Sequence, residues 1–145
     1  MGVSTRDTLV DTATRVFEQA AFMFADEVDS IEDKLDIGVA LSYSGENCGT
    51  IELWTVRELA LTIADNLLGE TEELSEDQLM ERQADAVKEM LNMIAGNLIT
   101  DLYGTEPIYN LAVPEKIERP GVLAEIPENA AKLNIEGLPV VILVK

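Results

Sequence analysis

The chain has no histidine, one cysteine (Cys48) and one tryptophan, and its 10 Lys and Arg face 28 Asp and Glu. Each shortage excludes something. Without histidine there is no Ser-His-Asp triad, no Cys-His dyad, no His-ligated zinc and no imidazole base. One cysteine excludes an internal disulfide framework and fits a reducing compartment, so the expected location is the cytoplasm. A formal charge of −18 argues against binding nucleic acid or an anionic membrane, both of which require surplus Lys and Arg. No apolar run approaches the roughly 20 residues of a membrane helix, and the N-terminus lacks a signal peptide's apolar stretch. Chemistry on this chain therefore falls to carboxylates, amides and hydroxyls, or to groups that a partner brings.

What the chain does have is enough apolar residues, 47%, to build a core. Leu9, Ala13, Val16, Phe17, Ala20 and Phe24 recur at helical spacing behind a candidate cap at Ser4. An acidic exit follows. From Ile37 the period changes to two, and Ile37–Tyr43, a turn at 45–49 holding Cys48, and Thr50–Trp54 read as a β-hairpin. Thr55 with Glu58 has the form of a capping box for a second helix that Gly69 stops. The stretch from Glu70 to Asp85 holds seven acids and one base, Arg82, and reads as a solvated loop and helix start rather than a cation loop. Ser75 and Gln78 cap a third, long helix that ends at Gly104. Four further strands are expected, at 108–113, 121–126, 132–135 and 139–144, the last buried on both faces. The order α-ββ-αα-ββ(ββ) describes an α+β fold, with helices packed on an antiparallel or mixed sheet, and a single domain over residues 1–145.

On the third helix, at about 100° per residue, Val87, Leu91, Ile94 and Leu98 form the core face. Asp85, Glu89, Asn92 and Gly96 form a stripe on the opposite side, with neighbouring Cβ atoms about 5–6 Å apart. Such a stripe can be no more than the wet side of an amphipathic helix. Two residues speak for more. Asn is a poor mid-helix residue, because its amide competes for backbone hydrogen bonds. A mid-helix glycine is costly and often admits another backbone. The stripe offers no nucleophile. Glu89 can act as a base or pair with a cation, and Asn92 can donate and accept hydrogen bonds and so orient a water. Orienting water is catalytic when the electrophile is already activated, as in phosphoryl transfer.

Asp85, Glu89 and Asn92, with Pro114 following after 21 intervening residues, fit the pattern Asp/Ser-x3-Glu-x2-Asn-x21–22-Pro. This pattern resembles the signature of the CheC/CheX/FliY chemotaxis phosphatases, and the order of elements is similar to theirs over nearly the whole chain. The resemblance implies a CheC-like fold and hydrolysis of the aspartyl phosphate of a CheY-type response regulator. Glu89 would dock on the regulator's lysine and Asn92 would orient the attacking water. Asp85, Gly96 and Pro114 would support the site. The resemblance implies no cofactor of the chain's own, the Mg²⁺ residing on the regulator. The first helix offers only Asp11, Arg15 and Glu18 at the motif's spacing, so any second copy is dead. A single motif is CheX-like and implies a homodimer. The alternative on the same fold is a non-catalytic binding module in signalling or in a flagellar switch.

Overall fold

A computed structural model gives the fold and describes residues 5–32, 34–69, 73–117 and 126–145. The apolar stripe of the first helix forms α1 (Thr5–Ala21), with Leu9, Ala13, Val16 and Phe17 all buried. The helix stops earlier than the stripe predicts. Phe22 takes a left-handed backbone (φ 57°), which turns the chain away, and Phe24 is left exposed rather than on the core face. The expected cap, Ser4, lies outside the described residues.

The acidic exit contains a strand that periodicity does not reveal, β1 (Ala25–Glu27). The hairpin strands are β2 (Ile37–Ser44) and β3 (Gly49–Thr55), paired antiparallel with Tyr43 opposite Gly49. Then come α2 (Arg57–Leu68) and α3 (Glu76–Tyr103). The strand expected over 108–113 is shorter. It is β4 (Asn110–Leu111), followed across Pro114 by β5 (Glu115–Lys116), and both pair with β2. Proline has no N–H for a ladder, so it divides an edge strand in two. The expected strand at 121–126 lies outside the described residues except Ile126, which is not in a strand. The sheet closes with β6 (Ala131–Ile135) and β7 (Leu138–Val144).

All the described pairings are antiparallel, in the order β1-β6-β7-β3-β2-β4, with β5 also on β2. The main core lies between the helices and one face of this sheet, where Val87, Leu91, Ile94 and Leu98 of α3 meet Val39, Leu53 and Ile142. On the other face a smaller cluster of Leu35, Trp54, Ala130, Val141 and Leu143 covers the centre. Val140–Leu143 are therefore buried on both sides, as their unbroken apolar run predicts. Gly38, opposite Trp54, is required there, because a Cβ would come within 2.7 Å of the indole.

The two capping predictions part company. Ser75 and Gln78 form the full reciprocal box at the start of α3. Thr55 does not cap α2. It is the last residue of β3, and its hydroxyl donates to the Pro139 carbonyl (2.9 Å). The N-cap position of α2 is Val56, and the Asp36 carboxylate instead accepts from the Arg57 N–H (3.1 Å). Arg82, the lone base of the acidic stretch, donates to the Ala64 and Gly69 carbonyls at the end of α2.

Candidate functional site

The site is built on α3, whose buried face fixes the direction of its opposite side. Asp85, Glu89 and Asn92 are exposed and Gly96 is half-buried. They line no deep cavity. Asp85, Lys88, Glu89 and Asn92 of α3 form one wall of an open groove of about 560 Å³, and Leu111, Ala112, Val113 and Pro114 form the facing wall. Pro114, with 21 residues between it and Asn92, thus comes to the motif helix because β2 carries it there. The Ala112 N–H donates to Ser42 O and the Ile117 N–H to Gly38 O, each at 2.8 Å, which clamps the segment at both ends. Gly96 lies outside that groove. It lines an adjoining one of about 370 Å³ with Tyr109 and Leu111. Among the described residues no backbone approaches it: a Cβ at Gly96 meets nothing within 4 Å, contrary to the close approach that a mid-helix glycine leads one to expect.

The side chains differ in how free they are. The Asn97 amide donates to the Met93 carbonyl and the Asn66 amide to the Ala21 carbonyl, both at 2.8 Å. The Asn92 amide has no partner among the described residues, nor do the carboxylates of Asp85 and Glu89. The Glu89 carboxylate, one turn from the uncommitted Asn92 amide, can receive a cation, and the amide can hold a water. Among the described residues no three His, Cys, Asp or Glu side chains stand close enough together to hold a metal.

The facing wall is held from beyond its end by all three tyrosines of the chain. Tyr103 at the end of α3 stacks on Tyr109 (centroids 5.1 Å), and Tyr43 of β2 meets both at 6.2 Å. The Tyr43 and Tyr103 hydroxyls are 3.1 Å apart, and Asn47 donates to the Tyr109 hydroxyl (2.9 Å). Burial, and then the Tyr103 hydroxyl, push the Tyr43 phenol well above its ordinary value, so it stays protonated.

On α1, Arg15 pairs with Asp101 of α3 (2.7 Å), and Thr12 donates to the same carboxylate (2.6 Å). That position joins two helices. Cys48 is exposed in the hairpin turn. Sequence reasoning missed Lys88 and the wall at 111–113. Lys88 was within reach, since the same wheel places it about 60° from Asp85.

The fold is thus α+β, with helices on one antiparallel sheet and an exposed acid–amide stripe on the longest helix facing a proline-ended strand segment. The chain belongs to the CheX family of chemotaxis phosphatases, whose sequence pattern matches residues 37–136. No curated protein sequence matches it. Among solved structures it is similar to CheX of Vibrio vulnificus, with 19% identity over 98% of this chain and 95% of the other, and a TM-score of 0.74. It is equally similar in sequence, 19%, to a protein in the CheX–CheY–BeF₃–Mg²⁺ complex of Borrelia burgdorferi, over 99% of this chain and 97% of that one, with a TM-score of 0.70. Thermotoga maritima FliY follows at 17% identity over 99% and 91%, with a TM-score of 0.57. At these identities the likenesses establish the fold. Among the described residues no helix is long and apolar enough to cross a membrane.

Proposed function

We propose that this protein is a phosphatase that hydrolyses the aspartyl phosphate of a CheY-type response regulator, with Asn92 and Glu89 as its working residues. Family membership supports the reaction class, and the uncommitted Asn92 amide one turn from Glu89 on an open groove is the observation that carries the roles. The shallow groove suits a protein substrate, since the reacting group must arrive on another surface. The regulator brings the acyl phosphate and its Mg²⁺, and the chain needs no cofactor of its own. The Borrelia complex contains CheY and Mg²⁺ together with CheX.

In this reading the Glu89 carboxylate pairs with the regulator's lysine, which brings the Asn92 amide to the phosphoryl group. The amide holds a water in line with the bond to be broken. The water oxygen bonds to phosphorus as the bond from phosphorus to the aspartyl oxygen breaks. The aspartate leaves as carboxylate and the water's proton ends on inorganic phosphate. Asp85 and Pro114 shape the groove. We read residues 1–145 as one CheX-like domain, its single motif favouring a homodimer and its lone cysteine the cytoplasm.

Measured with phosphorylated CheY, Asn92→Ala is expected to lower kcat by about 10²-fold or more with binding retained. Glu89→Ala is expected to raise KM by about tenfold or more. Wild-type rates in both variants refute the assignment. A stable complex with phosphorylated regulator that never releases phosphate makes the protein a binding module instead.

A further inference from the structure

Ile108 and Val113 are the most exposed large apolar side chains among the described residues, at 86% and 81%, and both stand on the segment between α3 and β5. Leu111 is exposed as well and touches both grooves. Exposed aliphatic surface gathered around a groove marks a place that another molecule covers. Phe22 and Phe24 are also exposed, but they adjoin β1 at the opposite edge of the sheet. Lys88 lies in the groove with Val113, half-buried. Asp85 and Glu89 are near it in sequence, yet its ammonium makes no ion pair or hydrogen bond among the described residues. In a chain with 28 acids, a free cation at this place is available to negative charge arriving from outside.

We propose that Leu111, Val113 and Lys88 form the second half of the regulator's landing face. The two aliphatic side chains supply affinity, and the Lys88 ammonium faces the phosphoryl group and makes binding depend on phosphorylation. This rests on the reading of Asn92 and Glu89 above. The occupant follows from geometry, because Val113 and Asn92 line one groove and whatever covers Val113 also lies over Asn92. A second copy of the chain seated there would close the site to its substrate, whereas the regulator must reach it. The charge agrees: a phosphoryl group is doubly negative and, among the described residues, Lys88 is the only base lining the groove.

The test compares wild type, Val113→Asp, Lys88→Gln, Lys88→Arg and Asn92→Ala. Binding is measured to a CheY receiver domain with and without BeF₃⁻ and Mg²⁺, turnover with the same domain charged by acetyl phosphate, and self-association by sedimentation. Val113 is too exposed for its replacement to disturb folding. Val113→Asp is expected to raise Kd and KM about tenfold, with kcat within about a factor of two of wild type. Lys88→Gln is expected to shrink the preference for the BeF₃⁻-loaded domain about tenfold, and Lys88→Arg to restore it. Unchanged Kd and KM in Val113→Asp overturn the proposal, and so does altered self-association with unchanged Kd, which assigns the patch to a second copy. An unchanged preference in Lys88→Gln overturns the role of the lysine. Failure of the underlying reading looks different. Asn92→Ala then turns over at the wild-type rate, while the binding arms still decide for or against this wall. A wild-type chain that binds neither form of the domain overturns both.

Discussion

An asparagine inside a helix costs about 0.5 kcal/mol relative to alanine, and a glycine about 1 kcal/mol. The exposed stripe of α3 accepts both within five residues, at Asn92 and Gly96. The fold needs neither. Asn92 bonds to nothing among the described residues, and Gly96 has open space where its side chain would be. Gly96→Ala is therefore expected to stabilise the protein by about 1 kcal/mol, read as a rise in urea midpoint at unchanged slope. If the bare turn after Asn92 leaves room for the regulator, the same variant raises KM. A loss of stability would instead show that the glycine serves the helix. Asp101 behaves in the opposite way. Burial disfavours its charge, but the Thr12 hydroxyl and the Arg15 guanidinium outweigh that and hold its carboxyl below the ordinary aspartate value. Its folded-state pKa is depressed, so its contribution is present above the unfolded value and is lost as pH falls through the folded one. Asp101→Asn is expected to cost about 1 kcal/mol at neutral pH, a difference that shrinks below about pH 4. A difference that stays constant down to pH 3 would show that the contact works without its charge.

Helix starts show what local sequence can and cannot carry at the scale of elements. Ser75-x-x-Gln78 and Thr55-x-x-Glu58 are the same pattern, and only the first is a capping box. The difference is not local, because β7 claims the Thr55 hydroxyl through the Pro139 carbonyl and Asp36 reaches in from before β2 to serve Arg57. Ser75→Ala and Asp36→Ala are accordingly both expected to cost about 1 kcal/mol in urea unfolding, although only one is visible as a cap in the sequence. A neutral Asp36→Ala would show that the start of α2 does not depend on this carboxylate. The edges of the sheet were hidden for a similar reason. Ala25–Glu27 is acidic because an edge strand can keep its side chains in water, so no alternation marks it, and Pro114 divides what reads as one run. Half of the candidate site was legible in the same sense. Asp85, Glu89 and Asn92 share a face by spacing within one helix. Leu111 and Val113 reach them only through the pairing of β4 and β5 with β2, a register that no short stretch of sequence contains.

For the molecule as a whole the charge cannot cancel. Even if every base paired, 28 acids and 10 bases would leave 18 carboxylates unmatched, and the ion pairs among the described residues involve only Arg6, Arg15 and Lys145. Packing that excess into a folded volume brings like charges closer than in the unfolded chain, so self-repulsion subtracts from stability. Salt screens it: the Debye length falls from about 30 Å at 0.01 M to about 8 Å at 0.15 M, shorter than a small domain is wide. The few exposed ion pairs lose strength over the same range, but such pairs are worth roughly 0–1 kcal/mol each. Relief of repulsion therefore outweighs the loss of those pairs, and Tm is expected to rise by about 3–6 °C between 0.01 and 0.15 M NaCl. KCl at equal ionic strength should give the same rise, since the cause is screening rather than a bound ion. The same excess repels any acidic regulator at long range, which salt should also relieve, whereas contact between Lys88 and a phosphoryl group weakens with salt. A Tm that falls with salt would show that local pairing outweighs net repulsion in holding this acidic chain together.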